Sequence, residues 1–224
     1  FMLFMSHALA QRDADEWHAE HCRWGQRQAQ GIARQVHAPA DAARRLRIGY
    51  VSADLREHAT AGFMLPILAL HDRKNFDVFC YSNSDEADAR TSEMQQQVHG
   101  WRNIDGVDDA RAAQLILADG IDILVDLSGH TRGNRLGVFA RKPAPVQISY
   151  LGYLDTSGMP AMDYRISDAV ADPPGVSERL HSERLLRLPQ TLWCYQQPAD
   201  APAVAPLPAE RNGFITFGSF NHVA

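Results

Sequence analysis

The feature that most constrains the fold is an alternation, starting at Leu46, between short apolar runs and segments with the composition of helices. In the first unit, residues 46–51 are typical of a buried strand, a polar turn follows, and residues 60–70 have the length and apolarity of a helix. Six further runs are predicted as strands: 76–82, 99–104, 121–127, 146–151, 164–167 and 185–188. Two further helices are predicted, at 86–97 and at 108–118 before Gly120. The alternation predicts an α/β fold, a Rossmann-like parallel sheet with helices on both faces.

The segment before this alternation, residues 1–43, is predicted to be a helical segment that leads into the sheet. Asp13 precedes Glu16 by three residues, which resembles a capping box. Trp17, His21 and Trp24 then recur at the spacing of one helix face, and this prediction extends the helix to residue 36. We interpret the aromatic stripe as core packing. The helix is therefore expected to pack against a large partner surface.

The segment after the alternation is expected to differ from the lobe formed by residues 44–197. Residues 198–208, PADAPAVAPLP, are too rich in proline for a helix and are predicted to be a semi-rigid linker. The following FITFGSF is predicted to be the first strand of another domain. Residues 198–224 are therefore assigned as a Pro-rich linker and a first strand.

Composition argues against several functional classes. Of the 224 residues, 45% are hydrophobic, which is ordinary for a globular protein. The formal net charge of −5 argues against a nucleic-acid partner, because phosphate binding favours a positive surface. No apolar run approaches the roughly 20 residues that cross a bilayer. Three widely separated cysteines favour a reducing compartment over a disulfide framework. We therefore predict a cytoplasmic protein with no nucleic-acid and no membrane partner.

Polar, glycine-containing turns follow several of the predicted strands. Because the carboxyl ends of parallel strands share one edge, we expect His58, His130, Tyr153 and Asp155 to face one crevice. His58 is the strongest candidate, since it lies between a strand end and a helix start, where backbone N–H groups favour an anionic ligand. The run SGHTRG is neither a Walker loop nor a dinucleotide fingerprint. No third ligand supports any metal-binding pair, so no metal and no cofactor are predicted.

Five stretches, in this order, resemble the catalytic region of O-linked N-acetylglucosamine transferases: LRIGYVSADLREHATAGF, FDVFCYS, ADGIDILVDLSGHTRGNR, ARKPAPVQISYLGYLDTSG and MDYRISD. The family has the GT-B fold, built from two Rossmann-like domains, and its bacterial members look most similar. The resemblance implies that residues 44–197 are the N-terminal lobe of a GT-B fold. It also implies tetratricopeptide repeats before the helical segment and a C-terminal GT-B lobe of the same polypeptide.

The resemblance further implies a protein O-glycosyltransferase. Such an enzyme transfers N-acetylglucosamine from UDP-GlcNAc to a Ser or Thr hydroxyl of an acceptor protein or peptide, with inversion and without a metal. His58 is then the active-site histidine, acting as general base or by positioning a substrate. A neutral imidazole, whose ordinary pKa is about 6.5, is able to accept the hydroxyl proton. The residues predicted to bind substrate are Thr60, Gly129, His130, Thr131, Gly152, Tyr153 and Thr156.

Two positions differ from the animal members and leave alternatives open. Ala59 stands where those members have a proline, and residues 128–131 read SGHT where they have Asn-Gly-Tyr-Thr. The SGHT form also resembles plant relatives that transfer fucose from a GDP donor. A transferase that uses GDP-fucose or UDP-glucose is therefore one alternative. A catalytically inactive protein-binding scaffold is another.

Overall fold

The structure is a computed structural model that describes residues 3–4, 13–37, 44–197 and 201–218. Its centre is a seven-stranded sheet in which every pair of neighbours is parallel. The strands are β1 (Leu46–Ser52), β2 (Phe76–Ser82), β3 (Gly100–Asn103), β4 (Ile123–Asp126), β5 (Val146–Ser149), β6 (Tyr164–Asp168) and β7 (Arg184–Leu188). All seven predicted strands are confirmed, with ends that shift by no more than two residues.

The order of the strands determines where a ligand crevice forms. The order is β3-β2-β1-β4-β5-β6-β7, so the chain builds outward in one direction from β1 and then restarts on the other side with β4. In open parallel sheets, ligands bind outside the carboxyl ends of the strands at such a switch point. The turns that follow β1 and β4 therefore flank the expected crevice.

Helices cover both faces of the sheet, as predicted. They are α1 (Ala14–Ala29), α2 (Ala59–Leu70), α3 (Ala89–Gln95), α4 (Asp109–Ala118), α5 (Leu136–Ala140) and α6 (Pro208–Asn212), with a short 3₁₀ helix at Ser177–Leu180. One apolar cluster joins a face of the sheet to α4 and α5, with Trp24 of α1 packed against it. The other joins the opposite face to α2 and α3, through side chains such as Met64 and Met94. The inner strands of the sheet are thus buried on both sides, which explains their apolar sequences, whereas the edge strands β3 and β7 contain no buried residue.

The prediction that the first helix continues to residue 36 is wrong. The helix α1 ends at Ala29, and Gly31 adopts a φ of +73°, a left-handed conformation that ends helices. Residues 32–37 are neither helix nor strand, and Val36 is 95% exposed. The prediction was wrong because the helical spacing of apolar residues continues beyond Gly31, although the helix does not. Other residues of the predicted segment, 1–2, 5–12 and 38–43, lie outside the described residues.

The strand predicted at residues 214–220 is not formed in its described part, residues 214–218. Phe214, Ile215 and Phe217 are largely exposed there, and no neighbouring strand supplies the hydrogen bonds that a strand needs. Residues 201–207, within the predicted linker, contain no helix or strand. Pro208 occupies the first position of α6, where its missing N–H is tolerated. Residues 198–200 lie outside the described parts of the chain.

Candidate active site

His58 lies in the turn between β1 and α2, at the carboxyl edge of the sheet. It is the N-cap residue of α2, with an extended backbone, and its Nδ1 accepts a hydrogen bond from the Thr60 N–H at 3.2 Å. The side chain is 44% exposed. Thr60 itself is buried, with its hydroxyl oxygen 3.1 Å from the same Nδ1. The cap therefore fixes the imidazole in place while leaving its other edge accessible.

The capping bond also selects the tautomer of His58. Because Nδ1 accepts the Thr60 N–H, the proton of the neutral ring lies on Nε2. The nearest carboxylate oxygen, Oδ1 of Asp54, is 3.9 Å from Nε2, which is beyond hydrogen-bond distance. Nε2–H is thus a donor available to an incoming oxygen atom.

A buried carboxylate at the end of β4 stabilises the turn that follows this strand. Asp126 accepts hydrogen bonds from the N–H groups of Ser128 at 3.1 Å and Gly129 at 2.9 Å. Burial raises the pKa of Asp126 to about 6, and these two bonds act in the opposite direction. Gly129 has a φ of +53°, and an added Cβ would lie 2.3 Å from the Cβ of Tyr153. Only glycine therefore fits where the β4 and β5 turns meet.

The β4 turn also reaches the first turn. The hydroxyl of Thr131 donates to the Ser128 carbonyl at 2.8 Å and so closes the loop locally. Farther along, a Cβ added to Gly133 would lie 2.7 Å from the Cβ of Ala53 in the β1 turn. The Asn83 side chain, after β2, donates to the Gly133 carbonyl at 2.8 Å. Turns from three adjacent strands are thus in contact at the switch point, as the parallel sheet predicted.

His130 does not face the crevice, which corrects the expectation from the sequence. It is 1% exposed, and its Nε2 donates to the Ser157 carbonyl at 2.8 Å. Its ring packs edge-on against Trp24 and His21 of α1, with ring centroids 4.5 and 5.0 Å apart. Burial lowers the pKa of His130 to about 4. The ring is therefore a neutral packing residue beneath the turn.

Tyr153 is also internal rather than crevice-facing. It is 3% exposed, and its hydroxyl lies 2.7 Å from Nε2 of His21. Nδ1 of His21 donates to the Trp17 carbonyl at 2.9 Å, so Nε2 is the acceptor of the Tyr153 hydroxyl. The aromatic stripe of α1 packs on the turns at the carboxyl edge. The core-packing interpretation of that stripe is confirmed.

The turn after β5 lies directly on the β4 turn. Leu151 adopts a φ of +72°, which is uncommon for a residue with a side chain. A Cβ added to the next residue, Gly152, would lie 1.9 Å from the Leu127 carbonyl oxygen. Such conformations persist where the surroundings fix the chain, and they concentrate at functional sites.

Two buried charged residues fix the β5 turn, and sequence reasoning missed both. The Glu183 carboxylate accepts hydrogen bonds from the Thr156 hydroxyl at 2.7 Å and the Ser157 N–H at 2.8 Å, and also from the Ser157 hydroxyl. Arg165 donates from Nη1 to the carbonyls of Tyr153 and Asp155, at 2.8 and 2.9 Å. A lone arginine inside an apolar strand was a signal that Arg165 is held by polar partners. No sequence pattern around Glu183 indicated that its side chain is buried.

The predicted site residues therefore divide into two groups. His58 lies exposed at the sheet edge, with Thr60 fixing its ring, whereas the side chains of His130, Tyr153 and Thr156 have internal contacts. Gly129, Thr131 and Gly152 shape the turns. The substrate-binding role of these residues stays a prediction.

Two further observations concern the part of the chain that the structure describes. It contains no group of three or more His, Cys, Asp or Glu side chains arranged to hold a metal ion. None of its helices combines the length and apolarity needed to span a membrane.

The fold and the site define the class of this protein. A solved structure of a point mutant of the Thermobaculum terrenum O-GlcNAc transferase matches the chain with a TM-score of 0.86 and 41% sequence identity. The match covers 91% of this chain and 39% of that one. The all-parallel sheet with its turns at the switch point is thus an α/β lobe of a GT-B glycosyltransferase.

The family follows from the sequence comparison. Residues 6–198 match glycosyl transferase family 41, and the chain belongs to this family. A rice relative (Oryza sativa subsp. japonica), named "Probable UDP-N-acetylglucosamine--peptide N-acetylglucosaminyltransferase SPINDLY", is 43% identical over 216 residues. That match covers 94% of this chain and 23% of the rice protein.

A second curated relative supports the same family. The Caenorhabditis elegans protein named "UDP-N-acetylglucosamine--peptide N-acetylglucosaminyltransferase" is 40% identical over 151 residues, which cover 66% of this chain and 13% of that protein. The chain thus spans less than a quarter of the length of these relatives.

Proposed function

We propose that the protein is a protein O-glycosyltransferase. It transfers N-acetylglucosamine from UDP-GlcNAc to a Ser or Thr hydroxyl of an acceptor protein or peptide, with inversion and without a metal. The observation that carries the proposal is the position of His58, whose accessible Nε2 edge lies in the β1 turn beside the switch point of a family 41 sheet. The names of the rice and nematode relatives support the donor and the acceptor class.

The tautomer of His58 favours one of its two possible roles. A general base needs a free lone pair, but the lone pair of the neutral ring is on Nδ1 and already accepts the Thr60 N–H. Nε2–H is free to donate to a substrate oxygen. We therefore assign His58 the role of positioning a substrate through Nε2–H, with general-base action as the alternative. An inverting displacement forms no covalent intermediate and needs one base for the hydroxyl proton; if His58 positions a substrate, that base is a group of the bound donor or of the proposed C-terminal lobe.

The proposal also includes a second lobe, a repeat region and a cytoplasmic location. A C-terminal GT-B lobe of the same polypeptide would complete the cleft and supply the donors that stabilise the leaving diphosphate. The longer relatives support such a lobe, and tetratricopeptide repeats before the helical segment belong to the same proposal. Cys22, Cys80 and Cys194 form no disulfide, which supports a cytoplasmic location.

The test compares variants of the full-length enzyme. His58→Ala removes both the donor and the lone pair, and we expect transfer to fall by about 10²–10⁴-fold. UDP binding, measured by calorimetry, stays within about twofold, because the second lobe holds most of the nucleotide in this proposal. The control is His99→Ala. His99 lies at the amino end of β3, on the edge of the sheet opposite the candidate site, and we expect this variant to retain activity. Undiminished transfer by His58→Ala would refute the proposed role.

His58→Gln separates the two roles. Glutamine donates an N–H but does not accept a proton at neutral pH. If His58 positions a substrate, His58→Gln restores much of the kcat that His58→Ala loses, whereas equal losses in both variants indicate a general base. A panel of UDP-GlcNAc, UDP-glucose and GDP-fucose tests the donor. No turnover with any donor by the unsubstituted enzyme would favour the scaffold alternative.

A further inference from the structure

The second half of α1 and the segment that follows it form a groove lined by three arginines. Arg23 and Arg27 are one turn apart on α1, and Arg34 faces the same groove from the following segment. The groove has a volume of about 500 Å³. Pro160, at the end of the β5 turn, forms part of its wall. We call this surface the arginine groove.

The wall that carries Arg34 is held in place. The N–H of Gln35 donates to the Arg141 carbonyl at 3.1 Å. The His37 Nε2 donates to the Lys142 carbonyl at 2.7 Å. Both acceptors follow α5, so the segment after α1 is tied to the body of the lobe. The three arginines are therefore presented by a fixed surface.

In the part of the chain that the structure describes, the guanidinium groups of the arginine groove lack a contact partner, although Glu16 and Glu20 of α1 line a neighbouring depression together with Arg23. Within the described residues, the guanidinium groups of Arg23, Arg27 and Arg34 have no ion-pair or hydrogen-bond partner. Arginines elsewhere in the lobe, such as Arg44 and Arg90, do pair with carboxylates. Arg23 and Arg27 are like charges at i, i+4 on α1, and such pairs repel each other. An anionic ligand would relieve that repulsion.

The arginine groove adjoins the turns of the candidate site. A Cβ added to Gly25 of α1 would lie 1.9 Å from the carbonyl oxygen of Gly158 in the β5 turn. The Trp24 ring packs on His130 of the β4 turn. The groove thus shares α1 and the β5 turn with the carboxyl edge of the sheet.

The chemistry of the groove selects its ligand. Guanidinium groups bind carboxylates in a bidentate way, and three of them along one groove suit several acidic side chains on an extended segment. A nucleic acid is disfavoured, because the chain carries 27 acidic against 22 basic residues and would repel a long polyanion. We propose that the arginine groove docks an acidic segment of the acceptor polypeptide. That the docked segment belongs to an acceptor rests on the proposed function, whereas the docking itself does not.

The test is a binding experiment on the full-length protein. A fluorescent twelve-residue peptide of Glu and Ser is titrated by anisotropy, beside the same peptide with Gln for Glu and beside a single-stranded oligo-dT. The triple variant Arg23→Ala, Arg27→Ala, Arg34→Ala is compared with Arg73→Ala, Arg111→Ala, Arg211→Ala. The control triple removes the same total charge from exposed arginines elsewhere. Circular dichroism melting verifies that both triples fold.

The expected result is specific to the groove. The acidic peptide binds the groove triple at least tenfold more weakly than it binds the unsubstituted protein. Its affinity for the control triple stays within twofold of its affinity for the unsubstituted protein. The Gln peptide binds weakly to all three proteins. In transfer assays, the groove triple raises KM for acceptors with acidic flanks while kcat is unchanged.

Three results would overturn the docking proposal. They are equal losses in both triples, no loss in the groove triple, or groove-dependent binding of oligo-dT without binding of the acidic peptide. If groove-dependent peptide binding is found but no donor supports transfer, the docking site stands and the proposed function fails.

Discussion

At the scale of single residues, the turns at the carboxyl edge depend on buried charged groups of both signs. Glu183 accepts hydrogen bonds from the Thr156 hydroxyl and from the N–H and hydroxyl of Ser157, while Arg165 donates to the carbonyls of Tyr153 and Asp155. Glu183 is 4% exposed and Arg165 is 2% exposed. Because their partners are backbone and hydroxyl groups of one turn, removing either charge leaves several polar groups unsatisfied.

Glu183→Ala is expected to lower the free energy of unfolding by about 2–4 kcal/mol, because buried donors in the β5 turn lose their acceptor. Glu183→Gln, which keeps one acceptor oxygen, is expected to cost about half as much. The control is Glu178→Ala, which removes a half-exposed carboxylate paired with Arg187 at 2.7 Å and is expected to cost much less than Glu183→Ala, because solvent screens exposed ion pairs. Urea denaturation measures all three. Equal losses at positions 183 and 178 would contradict this account.

Residue-level prediction from sequence worked where local structure decides the environment. The position of His58 between a strand end and a helix start was predicted, and the same neighbours determine its cap, while its role stays a prediction. His130 has a similar local context but is buried, because α1 folds back over its turn. Contacts between residues more than a hundred positions apart are not encoded in local spacing. For the same reason Glu183, twenty-six residues after Ser157, was not recognised.

At the scale of elements, α1 is built into the lobe rather than attached to it. Gly25 of α1 and Gly158 of the β5 turn meet with no room for a side chain on either. All seven strands were predicted, because burial on both faces makes each inner strand a short apolar run between polar turns and the edge strands β3 and β7 continue the same alternation. The end of α1 was not predicted correctly, because apolar residues continue at helical spacing beyond Gly31.

Gly25→Ala tests this contact. The new Cβ would lie 1.9 Å from the Gly158 carbonyl oxygen, so helix and turn must separate. We expect a loss of about 3 kcal/mol in unfolding free energy. Gly62→Ala in α2 is the matched control, since nothing lies within 4 Å of its added Cβ. Alanine there is expected to be neutral or to stabilise by up to about 1 kcal/mol. A neutral Gly25→Ala would show that α1 is not closely packed on the turn.

At the scale of the whole molecule, the carboxyl edge couples global stability to pH through two buried groups of opposite effect. The pKa of His130 falls from an ordinary 6.5 to about 4, mainly through burial. Between pH 4 and 6.5 the unfolded chain therefore binds more protons at His130 than the folded protein does. The contribution of His130 to the free energy of unfolding is present above pH 6.5 and is lost as the pH falls toward 4. Burial raises the pKa of Asp126 from 3.8 to about 6, so its contribution is present below pH 3.8 and is lost as the pH rises through 6. The two dependences offset each other across one window, so the intact protein shows little net slope from these groups.

Replacing His130 by glutamine separates the two effects. The side-chain amide of Gln is able to donate to the Ser157 carbonyl, as Nε2 does, but it does not titrate. At pH 7.0 we expect His130→Gln to be less stable by about 1–2 kcal/mol, because ring packing on Trp24 is lost. Between pH 7.0 and 4.5 the unsubstituted protein loses about 2 kcal/mol through His130 that the variant keeps, while Asp126 acts alike in both. The stability difference should therefore shrink or change sign at pH 4.5, as measured from urea midpoints with equal slopes at both pH values. A difference that stays constant with pH would mean that His130 titrates normally and is not the buried neutral ring described here.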